Sequence, residues 1–144
     1  MKIIIKDPLP NQEEHIAFVV KTVTDKISRA VSLLKSADDL TVYDGEKARI
    51  LPINDVYYAE NVDQKCFVYA EKAVYRSRAK MYELEERLCD DDFLRISRNA
   101  IVNVRKIQSV APAGDGRFAA ELINGEMIII SRQFVPMLKR RFGL

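Results

Sequence analysis

The segment Phe93-Leu94-Arg95-Ile96-Ser97-Arg98-Asn99-Ala100-Ile101-Val102-Asn103-Val104-Arg105-Lys106-Ile107 gathers polar side chains of one chemical kind. They are cationic, amide-bearing or hydroxylic, and no acid interrupts them. Such side chains suit phosphate oxygens and base edges. Arginine reads guanine best, because its fork matches O6 and N7 together. Chemistry of the catalytic kind is missing. His15 is the one histidine, and with Cys66 and Cys89 scattered it makes no metal-ligand pattern. There is no Gly-x-x-x-x-Gly-Lys-Ser/Thr loop and no Gly-x-Gly-x-x-Gly. The acids at Glu83, Glu85 and Glu86 belong to a solvated helix face, and Asp90-Asp91-Asp92 to a turn. An enzyme is not expected, nor is a metal or cofactor.

Charge is distributed unevenly. Residues 93–144 hold nine Lys/Arg against three Asp/Glu, net +6. Residues 1–44 are net −1 and residues 45–92 net −3, giving the overall +2. A basic concentration of this kind is what a polyanion-binding surface needs. On charge alone Arg105, Lys106, Lys139, Arg140 and Arg141 are phosphate candidates.

Elements must position these residues. The 48% hydrophobic content permits a core, and the 31% charged content argues against a membrane protein. No apolar run approaches the roughly 20 residues of a membrane span. The start, Met1-Lys2-Ile3-Ile4-Ile5-Lys6-Asp7-Pro8, is not a signal peptide, so the expected address is the cytoplasm. Two cysteines there read as buried or half-buried thiols rather than a disulfide. Residues 2–6 predict a strand. Asn11 then offers an N-cap to an amphipathic helix of about 24 residues, with His15 exposed in its first turn. Ile16, Val19, Val20, Val23, Ile27, Ala30, Val31 and Leu34 would form its buried stripe. From Leu40 the pattern is of strands. Hairpins are expected at Asp44-Gly45, Glu71-Lys72, Gly114-Asp115-Gly116 and Asn124-Gly125. Ser77 can cap a short helix burying Met81, Leu84 and Leu88. Ser131 can cap a final one carrying Val135, Leu138 and Phe142, with Pro136 early enough to be tolerated. Arg95 reads as a solvated strand-face residue, and Asn103 as a turn-stabilising amide.

Taken with Ile128-Ile129-Ile130-Ser131-Arg132-Gln133-Phe134-Val135-Pro136, the 93–107 segment resembles the LytTR family of bacterial DNA-binding domains over roughly residues 46–144. The shared pattern is Phe-x-Arg-x-x-Arg/Lys, a small residue, an apolar pair, Val-Asn and an Ile, closing with a hydrophobic strand that runs into Ser-Arg. The resemblance implies a mainly β domain with short helices, residues 45–144, preceded by the strand and long helix of residues 1–44. It implies that three loops enter successive major grooves. These are residues 61–65 after Tyr58-Ala59-Glu60, Ser97-Arg98-Asn99, and Ser131-Arg132. Arg98 and Arg132 are then base-contact candidates, with Lys65, Ser97 and Asn99 beside them. Many members carry His where this chain has Ser97, and a hydroxyl reaches less far. Only about 45 residues precede the matching part, too few for a phosphoacceptor receiver domain, so regulation or assembly would fall to the long helix. A small membrane protein partner is also an implication of the resemblance.

The expected function is therefore sequence-specific transcriptional regulation on double-stranded DNA, as a homodimer on repeated half-sites. The rival is an interaction module whose N-terminal helix binds a membrane or regulatory partner. An RNA-binding sheet fits less well, for want of its aromatic strand consensus.

Overall fold

In a computed structural model, residues 2–13, 15–36, 39–88 and 92–144 are described. Cys89, Asp90 and Asp91, and with them the expected thiol and most of the triple-Asp turn, lie outside these. The chain divides into two compact units, Met1–Lys35 and Ser36–Leu144.

The first unit departs from the sequence expectation. Residues 2–6 form no strand, and the helix α1 is Asp25–Ser36, half the expected length. Its N-cap is Thr24, whose Oγ1 accepts from the Ile27 amide at 3.4 Å. Two physical reasons shorten it. Asn11 adopts φ 67°, a left-handed conformation incompatible with an N-cap. Val19, Val20, Thr22, Val23 and Thr24 then crowd β-branched side chains that a helix disfavours. Within the expected stripe Ile27 is buried, whereas Ile16, Val19, Val20 and Val23 are exposed. His15 is exposed too, outside any helix, its Nδ1 3.0 Å from the Glu13 carbonyl oxygen.

The second unit is built from antiparallel strands. A seven-stranded sheet combines β1 (Asp39–Asp44), β2 (Lys47–Pro52), β3 (Tyr58–Val62), β4 (Lys65–Tyr69), β5 (Val74–Ser77), β6 (Phe93–Ser97) and β7 (Ala100–Asn103). Their spatial order is β2-β1-β5-β4-β3-β7-β6. A second sheet holds β8 (Ile107–Gly114), β9 (Arg117–Leu122) and β10 (Met127–Ile130), with β9 central. The helix α2 (Met81–Leu88) follows β5, and α3 (Val135–Phe142) follows β10 through a 3-10 turn at Arg132–Phe134. Strand β1 belongs to this sheet, so the compact unit begins before residue 45.

Two cores lie within this unit. One joins Val42, Ala59, Val68, Phe93 and Ile101 to Met81, Leu84 and Leu88 of α2. The other joins Tyr57, Ile96, Ala100 and Val102 to Ala120, Leu122 and Ile130 of the small sheet and Val135 and Leu138 of α3. Strand β7 contributes to both, and all four of its residues are buried. Burying each large aliphatic side chain contributes about 1.5–3 kcal/mol.

Asn103 closes β7. Its Nδ2 donates to the Val56 carbonyl at 2.9 Å, and its Oδ1 accepts from the Arg105 amide at 3.1 Å. Ser131 makes no side-chain cap bond, and the 3-10 turn intervenes before α3, so it does not cap that helix as expected. Phe142 remains 38% exposed rather than joining the core. Ser77 accepts from the Ala79 amide at 3.1 Å, closing a turn ahead of α2 rather than capping its first turn. At Asn124-Gly125 the loop is longer than a two-residue turn. Leu122 donates to the Glu126 carbonyl at 2.8 Å, and Gly125 takes φ 89°, a conformation suited to glycine.

Two stability outcomes follow. Asn103→Ala orphans the buried Val56 carbonyl, at a cost of about 1–3 kcal/mol, and leaves the Arg105 amide to water. A urea titration should show that loss. Lys21→Ala, on an exposed side chain ahead of α1, should change stability by no more than about 0.5 kcal/mol in the same titration.

Candidate nucleic-acid interface

Strand register brings several candidate residues to one end of the large sheet. β4 pairs with β3 out to Val62↔Lys65, β3 with β7 at Glu60↔Ala100, and β7 with β6 at Ser97↔Ala100. The β3–β4 and β6–β7 turns are therefore adjacent tips. The expected loop at residues 61–65 is a tight hairpin turn, with Asp63 at φ 50° and Gln64 at φ 64°. Positive φ at both central residues is the geometry that matches strand twist in two-residue hairpins. A hydrogen bond from the Asn61 amide to the Asn99 carbonyl, 2.7 Å, ties the two tips together. Lys65, Arg98 and Asn99 are exposed there, and Ser97 is half-buried. The Ser97 Oγ accepts from the Asn99 amide at 3.1 Å, so its hydroxyl shapes the turn.

Arg132 reaches this region from the second sheet. The Ser131 amide donates to the Ile96 carbonyl at 2.8 Å, anchoring the chain beside the end of β6. The Arg132 stem passes over the β8–β9 tip. A Cβ added at Gly116 would lie 2.8 Å from the Arg132 Cδ, so the missing side chain makes room for it. Lys139, exposed on α3, holds its Nζ 5.4 Å from the Phe118 ring centre near the same tip. Arg140, its neighbour on α3, is exposed as well.

Arg105 and Lys106 are placed elsewhere. They follow Asn103, at the opposite end of β7 from the Arg98 turn. Arg105 pairs with Asp92 at 2.9 Å, and the Lys106 ammonium lies 5.2 Å from the Tyr57 ring centre. Among the described residues no three His, Cys, Asp or Glu gather as a metal site.

Arg95 is the residue that sequence reasoning undervalued. Instead of standing on a solvated face it clamps the β6–β7 turn. Its Nε donates to the Ser97 carbonyl at 2.8 Å, one terminal nitrogen to the Arg98 carbonyl, and the other pairs with Glu85 of α2. A register shift between Arg95 and Ser97 marks a β-bulge, and bulges re-aim side chains. The signal available in sequence was an arginine three residues before Arg98 on a strand followed by a tight turn.

Arg95→Lys removes the rigid fork, and one flexible ammonium cannot replace three fixed contacts. Hydrogen bonds to charged groups contribute about 1.5–3 kcal/mol, so local opening of the turn should rise about tenfold or more. Amide exchange at Asn61 and Asn99 should quicken while Ile101 and Val102 stay protected. Unchanged exchange at both tips would exclude the clamp.

Comparison with known proteins agrees with this architecture. Residues 46–143 match the LytTr DNA-binding domain family. Over 146 aligned residues the chain is 24% identical to the sensory transduction protein LytT of Enterococcus faecalis, covering 94% of this chain and 58% of that protein. It is 29% identical over 89 residues to the transcriptional regulatory protein YpdB of Escherichia coli, covering 62% of this chain and 36% of that protein. The chain thus spans less than two thirds of either relative. Among solved structures it is similar to the LytTr DNA-binding domain of a Bacillus cereus protein described as a methyl-accepting/DNA response regulator. The TM-score is 0.70 at 27% identity, covering 74% of this chain and 98% of that one. With the match extending across most of its length and the same fold behind it, the chain belongs to the LytTR family of DNA-binding domains.

Proposed function

We propose that this protein is a sequence-specific transcriptional regulator that reads double-stranded DNA with the tips at one end of its large sheet. The observation that carries the reading is the linkage of Lys65, Arg98, Asn99 and Arg132 through the Asn61–Asn99 and Ser131–Ile96 hydrogen bonds. Arg98 and Arg132 read base edges in the major groove, with Asn99 and Lys65 beside them. Ser97 shapes the turn. Lys139 and Arg140 hold phosphates. Lys106, at the far end of the sheet, takes no part. The names of the relatives, a sensory transduction protein and a transcriptional regulatory protein, support a regulatory outcome.

A second role falls to the first unit. Ile3, Ile5, Leu9, Ile16, Val19 and Val23 are each more than 60% exposed, an arrangement that favours protein contact. We assign this contact to a second copy, giving a homodimer on paired half-sites. Light scattering should return twice the chain mass for the free protein, and two chains plus one duplex for its DNA complex. A monomer that gains mass only with a small membrane protein would overturn that assignment.

Anisotropy titrations on cognate and scrambled duplexes test the DNA reading. A lost bidentate base contact costs about 1–3 kcal/mol, so Arg98→Ala and Arg132→Ala should each narrow the gap between the duplexes. Lys139→Ala should weaken both duplexes alike, and Lys106→Ala neither. If about 5–8 phosphates are neutralised, log K should fall with log salt at a slope of about −4 to −7. A slope near zero, or equal losses on both duplexes for the two arginine variants, would refute the reading.

A further inference from the structure

The base-reading tips leave one group of cations at the same end of the sheet without a task. Arg76, Arg78 and Lys80, all exposed, border a solvent-open cleft of about 560 Å³, closed on other sides by Tyr43, Asn61 and Gln64. We propose that this cleft holds a backbone phosphate of the bound duplex, on the flank of the segment the tips read. The inference rests on the DNA reading above.

Charge and geometry support it together. Among the described residues no acid lines the cleft. Among the described residues Arg76, Arg78 and Lys80 are in no ion pair. Their clustering is not a by-product of a basic neighbourhood, because residues 45–92 carry eight Lys/Arg against eleven Asp/Glu. The Arg78 guanidinium lies 3.9 Å from the Tyr43 ring centre, and that of Arg76 5.9 Å from the Phe67 ring centre. Ring faces attract the guanidinium without accepting its N–H groups in place of an oxygen. Each fork is therefore oriented while keeping donors for an anion, and guanidinium geometry matches phosphate.

Position selects the duplex as the anion's source. Cys66↔Ser77 and Phe67↔Arg76 place the end of β5 beside the start of β4, so the cleft shares its edge with the β3–β4 tip. Asn61 belongs both to the cleft wall and to the link with the Arg98 turn. From β5 to β6 there are four strand intervals, through β4, β3 and β7. At about 4.8 Å each they span roughly 19 Å. A major groove is only about 12 Å wide. With the Arg98 turn in the groove, the Arg76–Arg78 pair reaches past its wall to the flanking backbone.

The test compares Arg76→Gln/Arg78→Gln, Lys80→Gln and the charge-preserving Arg76→Lys/Arg78→Lys with the wild type on cognate and scrambled duplexes over a salt series. Lys80 makes no ring contact, so its variant isolates charge from packing, and melting curves confirm that each variant is folded. The double Gln variant should flatten the log K against log salt slope by about two units, and Lys80→Gln by about one. Losses should be equal on both duplexes, and the Lys pair should retain the slope. A methylphosphonate placed at successive flanking phosphates should weaken the wild type at one position and leave the double Gln variant indifferent there. If the wild type binds DNA, Arg98→Ala narrows its specificity, and the cleft variants keep the full slope, the cleft proposal is overturned and the DNA reading stands. If the wild type binds no duplex, both fall together. Stabilisation of the protein by pyrophosphate, with unchanged slopes on DNA, would also overturn it, by assigning the cleft to a free anion.

Discussion

Strand β7 is the constraint on which the domain depends. It is four residues long, and each is buried. Ile101 faces the core under α2, while Ala100 and Val102 face the core under the small sheet and α3. A strand covered on both faces cannot alternate apolar with polar, and here it does not. Its register is correspondingly strict, since a slip of one residue would exchange Ile101 with its smaller neighbours between the two cores. Asn103 pins one end through the Val56 carbonyl and the Arg105 amide. The other end emerges as the Arg98-Asn99 turn. The turn is exposed, yet it stands on a strand buried along its whole length, which is how a loop can present side chains with fixed geometry.

Packing alone does not aim a turn, and Arg95 supplies the rest. Its side chain satisfies two carbonyls of the turn and a carboxylate of α2. The helix that fills the first core is thereby joined to the backbone that carries Arg98. The side chain is 20% exposed, so these contacts lie in a partly water-excluded place, where a charged hydrogen bond is stronger than on an open surface. The Asn61–Asn99 bond extends the same rigidity to the neighbouring tip. The geometry of the candidate interface is thus held by backbone hydrogen bonds and one half-buried arginine, which leaves the outward arginines unencumbered.

How much was legible in sequence depended on the kind of signal. Met81, Leu84 and Leu88 repeat at helical spacing, and α2 lies there with all three buried. The strand pairs around Gly45 and around Gly116 carry turn residues, and hairpins occur at both. The β3–β4 turn carries no glycine, so its positive-φ pair at Asp63 and Gln64 had no marker, and a tight turn read as a longer loop. The Arg95 clamp was hidden because a bulge resets the alternation on which strand-face reasoning relies. The long helix failed for a different reason. Apolar spacing from Ile16 to Leu34 fits a helix, but spacing does not weigh the β-branched crowding at Val19 to Thr24 or the left-handed Asn11. Thr24, a better cap, stood further along the same pattern.

Charge averaged along the chain also misplaced part of the electrostatics. Counting by thirds puts the positive field after residue 92 and leaves residues 45–92 net negative. Folding regroups these charges. Register carries Arg76 to the end of the sheet where Lys65 and Arg98 also emerge. Glu85, from the same negative third, is drawn to Arg95, so its charge is compensated and it supports the turn. Conversely Arg105, from the positive third, is spent on Asp92 at the far end of β7. A polyanion meets local charge within about 8–10 Å at physiological salt, not a segment average. The field that a duplex would meet is therefore set by which strand ends share an edge, and in this protein the sheet order decides that before any single side chain does.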